Sequence, residues 1–179
     1  MSDKSSLISE SFKRRADSAA FFEAYVAAKL SRAGLWVLHH PFTLASETGR
    51  DRLSYAQSVD LTVSAKERGI QPCGDFLDVE AKSSGVSFED NPDSYPKPSI
   101  LVCSSVSWVR KWGYTEFTER DFLFVSRKTG GILWLPKAVR CKERLVTDRT
   151  RNEHYVAMEA PVTQLLHLEQ FVRMVKDGT

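Results

Sequence analysis

Phe76-Leu77-Asp78-Val79-Glu80-Ala81-Lys82 decides how this chain is read. On a β-strand successive side chains alternate between two faces. Leu77, Val79 and Ala81 then share one face and can pack on a core. Phe76, Asp78, Glu80 and Lys82 share the other, with two carboxylates and an ammonium at successive positions. Burying unpaired charge is costly, so such a face is either solvated or meets complementary charge. A divalent cation and a phosphodiester would meet that demand together, with Glu80 toward the ion and Lys82 toward a phosphate oxygen or an attacking water. The plain alternative is an ion pair of Lys82 with Asp78 or Glu80, worth little if exposed.

Upstream, Val59-Asp60-Leu61-Thr62-Val63 alternates in the same way: Val59, Leu61 and Val63 face inward, Asp60 the other way. Before it, Leu35 to His40 is rich in strand formers and ends at Pro41. His39 and His40 are neighbours, so they point to opposite faces and read as ordinary histidines rather than a shared metal site. From Ser18 the spacing is helical, with Phe22, Val26 and Leu30 every fourth residue, Ser18 as N-cap and Gly34 as the stop. Glu23 lies beside that apolar stripe, a surface carboxylate or one leaning over the sheet toward Asp60 and Glu80.

Downstream, residues 83–98 read as a loop, and Ile100-Leu101-Val102 as a short apolar run. Val106 to Trp112 is left open between strand and helix. Phe122–Val125 and Ile132–Leu135 flank a Gly-containing turn and read as a hairpin. Pro161 is read as opening a last helix that Gly178 closes. Neither a repeat nor a linker divides the chain, so residues 1–179 read as one domain, with 1–17 as a flexible or helical arm carrying Lys13-Arg14-Arg15.

Composition sets the outer bounds. The chain has 179 residues, 42% apolar and 27% charged, as in a globular domain, and no apolar run long enough to span a membrane. Cys73, Cys103 and Cys141 are three lone cysteines without metal-ligand spacing, which fits a reducing cytoplasm. The N-terminus lacks a signal-peptide core. Net charge is only +2, yet residues 1–100 hold 12 Lys/Arg against 14 Asp/Glu and residues 101–179 hold 13 against 9. The half with the acidic strand is thus net −2, and the other half, at +4, would carry phosphate contacts. The candidates are Arg50 and Arg52, Arg127 and Lys128 in the hairpin turn, and Arg140, Lys142 and Arg144. Each, taken singly, is as well read as a solvated charge.

A helix with Glu23, a strand, a strand with Asp60 and a strand with Glu80-Ala81-Lys82, in that order, resembles the PD-(D/E)XK nuclease superfamily. The proline of the family name is absent, since Val59 precedes Asp60. The resemblance implies an α/β restriction-endonuclease-like core, a mixed central sheet flanked by helices in αβββαβ order. It also implies a Mg²⁺- or Mn²⁺-dependent endonuclease hydrolysing DNA phosphodiester bonds. Asp60, Glu80 and the carbonyl of Ala81 would bind the ion, Glu23 a second ion or its water, and Lys82 would orient or help deprotonate the nucleophile. Asp78 is a rival ligand. Size and layout match Holliday junction resolvases, acting as homodimers in the cytoplasm, or in a host's if phage-encoded. A small restriction-type endonuclease, or an inactive nuclease fold kept for DNA binding or assembly, is the alternative.

Overall fold

The computed structural model describes residues 10–40, 59–66, 71–148 and 153–178. Arg50 and Arg52 lie outside these residues. The protein is α/β, with a mixed six-stranded sheet, a three-stranded antiparallel sheet and three α-helices among the described residues.

Helix α1 spans Glu10–Arg32, eight residues longer at its start than the expected Ser18 cap. Nothing between Glu10 and Arg32 is Gly or Pro, so Ser18 is carried through the helix. Its end is as expected: Gly34 turns the chain at φ 87° and the Gly34 amide donates to the Ser31 carbonyl at 3.0 Å. The buried stripe is Glu23, Val26 and Leu30, so Glu23 lies within the apolar face rather than beside it.

Strands β1 (Trp36–His39), β2 (Leu61–Lys66) and β3 (Pro72–Ser84) form an antiparallel meander. Strand β3 starts at Pro72, four residues before the charged stretch that begins at Phe76. Leu61 pairs with Val79 and Val63 with Leu77, and both β2 residues are fully buried. Asp60 falls one residue before β2 rather than inside it. β4 is Ser99–Ser104, and Val106 to Trp112 resolves as helix α2, Ser105–Trp112, capped by Ser104 and Gly113. β5 (Asp121–Ser126) then runs parallel to β3, and β6 (Ile132–Leu135) returns as the expected hairpin.

The helix, three strands, helix and strand therefore occur in the expected order, with β4 inserted before α2 and paired elsewhere. β7 (Lys142–Asp148) and β8 (Glu153–Pro161) complete the second sheet, in order β4-β8-β7. Pro161 thus ends a strand instead of opening a helix. A single 3₁₀ turn and β9 (Leu166–His167) follow before α3, Leu168–Asp177. Leu165 and Leu166 are spent on the turn and the edge strand. The apolar positions from Leu168 on, Phe171 and Val175 among them, form the buried face of α3.

The main sheet, in order β1-β2-β3-β5-β6-β9, is covered on both faces. Val26, Leu30, Phe171 and Val175 from α1 and α3 pack on Val79, Ala81, Leu123 and Val125. On the opposite face Phe122, Phe124, Leu133 and Leu135 meet Trp108 of α2 and Ile100, Met158 and Ala160 of the second sheet. A sheet buried on both sides has uniformly apolar central strands, as in β5 and β6. No helix of the described residues is long and apolar enough to cross a membrane.

Candidate active site

The register of β3 against β5 sets Glu80 beside Phe122 and Lys82 beside Phe124. The charged face of the decisive strand is therefore the face covered by α2 and the second sheet. Glu80 is 1% exposed. A carboxylate so placed needs charged partners. Lys111, near the end of α2, puts its ammonium 2.7 Å from both Glu80 oxygens. Arg120, next to the start of β5, donates to Oε1 at 3.2 Å, and Lys82 Nζ lies 3.4 Å from Oε2. Burial acts to raise the Glu80 pKa, but Lys82, Lys111 and Arg120 outweigh it and hold it below the ordinary value.

Asp60 arrives by a different route. β2 begins at Leu61, opposite Val79, so β3 continues past its antiparallel neighbour. Asp60 takes over there: its Oδ2 accepts the Ala81 amide at 2.8 Å, a side chain standing in for a ladder carbonyl. Its backbone carbonyl accepts from His40 N at 2.9 Å. Burial first, then the charges of Glu80 and Glu23, push the Asp60 carboxyl up to about 6 against the pull of Lys82 and the Ala81 amide. Lys82 is shifted upward as well. Burial would lower its pKa, but Glu80 and Asp60 outweigh that and keep it protonated above its usual range.

Glu23, Glu80 and Lys82 thus all come within electrostatic reach of Asp60. Glu23 Oε2 lies 3.4 Å from His39 Nε2, which gives that histidine a place at the margin of the site. His40 faces away, onto the Thr62 hydroxyl at 2.9 Å. Asp78 is exposed and accepts from Thr62 Oγ1 at 3.3 Å, apart from the cations around Glu80.

The arrangement meets a divalent cation's needs in part. Asp60, half-buried and repelled by Glu80, is a carboxylate that a cation would relieve. Glu80 has its oxygens engaged by Lys111 and Arg120, and Ala81 contributes its amide to Asp60. Among the described residues, no group of three His, Cys, Asp or Glu side chains is placed to hold a metal ion.

The basic candidates separate in space. A groove of about 830 Å³ runs from Lys82, Ser83 and Ser84 past Lys97 to Arg144. Arg127 projects toward Gly85, where an added Cβ would lie 2.9 Å from its Nη2, and Lys128 is exposed in the hairpin turn. Arg144 pairs with Glu159 at 3.0 Å and stays half exposed. Arg140, paired with Glu116 at 2.7 Å, and Lys142 instead line a smaller cavity of about 370 Å³ by Trp108 and Tyr114.

Lys111 and Arg120 were not legible as site residues. Neither belongs to a spaced motif, and only the packing of α2 over β3 brings Lys111 to Glu80. Comparison with known protein families, with curated proteins and with solved structures finds no match to this chain.

Proposed function

We propose that this chain is a metal-dependent deoxyribonuclease of the PD-(D/E)XK type, with a restriction-endonuclease-like core. Within that class the compact layout favours a structure-specific endonuclease such as a Holliday junction resolvase, acting as a homodimer with one site for each DNA strand. The observation that carries the reading is the clasp of Asp60 on the amide of Ala81, the residue between Glu80 and Lys82 on β3, with both of those charges felt at Asp60.

Asp60, one oxygen of Glu80 and the Ala81 carbonyl would hold Mg²⁺ or Mn²⁺, with Glu23 behind. The ion, when bound, supplies neutralisation of the charge that builds on the phosphate. The side chains divide the remaining work. Lys82 keeps its proton at neutral pH, so it serves as a donor that orients the attacking water or a non-bridging phosphate oxygen. Asp60, which burial and Glu80 hold up to about 6, is the carboxylate whose charge a bound cation would relieve. The groove from Lys82 to Arg144 would guide the DNA backbone away from the site.

The saturation of Glu80 by three cations favours a second reading, a nuclease fold that binds DNA without cutting it. One experiment separates the two. Purified protein is incubated with a four-way junction, a flap, a linear duplex and a single strand, in Mg²⁺, Mn²⁺ or EDTA. Cleavage that needs the ion and is lost in Lys82→Ala, with DNA binding kept, supports the nuclease. Binding without cleavage in any ion supports the second reading, and cleavage by Lys82→Ala at the wild-type rate refutes the assignment of this lysine.

A further inference from the structure

The groove that leaves the site at Lys82 is one-sided in charge. Lys82, Lys97 and Arg144 line it, and no Asp or Glu does so among the described residues. The smaller cavity by Trp108 differs, since Glu116 and Glu143 stand there beside Arg140 and Lys142. The Lys82 side chain is 35% exposed and that of Arg144 56%, and Lys82 keeps its proton, so both are cations open to a ligand. Glu159, which pairs with Arg144, is not part of the lining and also accepts from Ser99 Oγ at 2.9 Å. Lys97 is exposed between Pro96 and Pro98, two prolines that narrow the backbone conformations open to it.

Between these cations the lining is apolar. Ile100, Val102 and Phe124 belong to the core behind the groove. Leu101 on β4 and Leu145 on β7 also line it, and they are 40% and 68% exposed. Uncovered leucines beside cations mark a surface for a ligand that is apolar and anionic at once. A duplex matches poorly, because it keeps its base faces stacked inside. An unpaired strand offers phosphates and base faces together, and single-strand sites pair a positive groove with side chains that cover successive bases. Leucine makes such contacts where proteins part stacked bases. A volume of about 830 Å³ is that of a pocket for a small ligand, which suits a short stretch of one strand and not the girth of a duplex.

Resting on the reading of Lys82 as part of a phosphodiester-cleaving site, we propose that the groove takes one unpaired DNA strand and leads it to Lys82. Lys97 and Arg144 hold its phosphates on the way. Leu101 and Leu145 cover base faces that a duplex would keep to itself. The feature recognised in a branched substrate is then its unpaired stretch, such as a flap, and not a fully paired arm. Lys97 becomes a binding residue that no motif in the sequence marks.

Binding is measured by fluorescence anisotropy on the intact protein in EDTA, so that neither cleavage nor ion binding enters. The probes are a labelled oligothymidylate, a blunt duplex of the same length, and that duplex with an unpaired tail. The single strand and the tailed duplex should bind about tenfold tighter than the blunt duplex, the order of one covered base. Leu145→Ser should lower affinity for the two unpaired probes several-fold and leave the blunt duplex unchanged. A side chain this exposed can be exchanged without unfolding the protein, which the melting temperature checks. Lys97→Ala should reduce the log–log salt slope for oligothymidylate by about 0.7, the share of one phosphate, and Lys97→Arg should restore it. Blunt-duplex affinity equal to or above that of the tailed duplex, or a Leu145→Ser variant that binds all three probes as the wild type does, overturns the groove assignment and leaves the nuclease reading standing. Displacement of the strand by oligoglutamate as readily as by unlabelled oligothymidylate overturns it in favour of an acidic peptide. Preference for the unpaired probes, with no cleavage of the tailed duplex in Mg²⁺ or Mn²⁺, supports the groove and refutes the nuclease reading. Failure to bind any probe overturns both.

Discussion

Replacing Asp60 by Asn should stabilise the fold at neutral pH while removing the chemistry. Burial and the nearby Glu80 raise the Asp60 pKa from 3.8 to about 6. The folded protein then holds this proton to a higher pH than the unfolded chain does. Stability linked to Asp60 is therefore greatest below pH 4, falls as pH rises between about 4 and 6, and stays low above. At roughly 1.4 kcal/mol per pKa unit the full penalty is about 3 kcal/mol, and screening through the solvent-exposed part of the group brings it nearer 2. Asn keeps the shape and an acceptor for the Ala81 amide without the charge. Urea unfolding of wild type and Asp60→Asn in EDTA, from pH 3.5 to pH 8, measures the difference directly. The two should coincide near pH 3.5 and diverge to about 2 kcal/mol in favour of the variant by pH 7.5. In a chain of this length that is roughly 4–8 °C in melting temperature. A difference that does not change with pH, or a variant less stable at pH 7.5, would refute the argument and show that pairing with Lys82 outweighs burial.

Three further outcomes follow from the same geometry. Glu80→Ala should cost about 3–5 kcal/mol in urea unfolding, because Lys111 and Arg120, 17% and 24% exposed, lose their common counter-charge; a loss under about 1 kcal/mol would mean that these side chains escape to solvent. Gly131→Ala should lower stability by about 2–3 kcal/mol, since the new Cβ would overlap the Phe88 carbonyl oxygen and lie 2.6 Å from the Glu89 backbone; an unchanged melting temperature would displace the loop from that strand. Arg144→Ala should reduce the log–log salt slope of DNA binding in Ca²⁺ by about one unit, and Arg140→Ala with Lys142→Ala should leave it nearly unchanged, because of these three Arg144 alone lines the Lys82 groove. The reverse pattern would route the DNA past Trp108 and Tyr114.

Short-range pattern carried much of the architecture. Alternation alone placed Leu61, Val63, Val79 and Ala81 in the core and put Glu80 and Lys82 on a common face, because a strand's two-residue period is a property of the backbone. Helical spacing found α1 through Val26 and Leu30, the glycine-containing turn found the β5–β6 hairpin, and Gly34 marked a helix end. Where local signals competed, the reading slipped. Ser18 can cap a helix but is equally tolerated inside one, and Pro161 fits the end of β8 as well as the start of a helix. The second sheet left little trace in the pattern, since β7 is largely exposed and charged and the pairing of β4 with β8 joins segments distant in sequence.

The candidate site divides along the same line. Residue type and strand order nominated Asp60, Glu80, Lys82 and Glu23, and the charges of the other three are all felt at Asp60. That Glu80 is sealed from water, and that Lys111 and Arg120 close over it, depended on which face of β3 the second sheet and α2 would cover. No period in the chain encodes that choice. It is made when Phe122 and Phe124, in register with Glu80 and Lys82, need an apolar partner and draw α2 and the second sheet down onto the charged face.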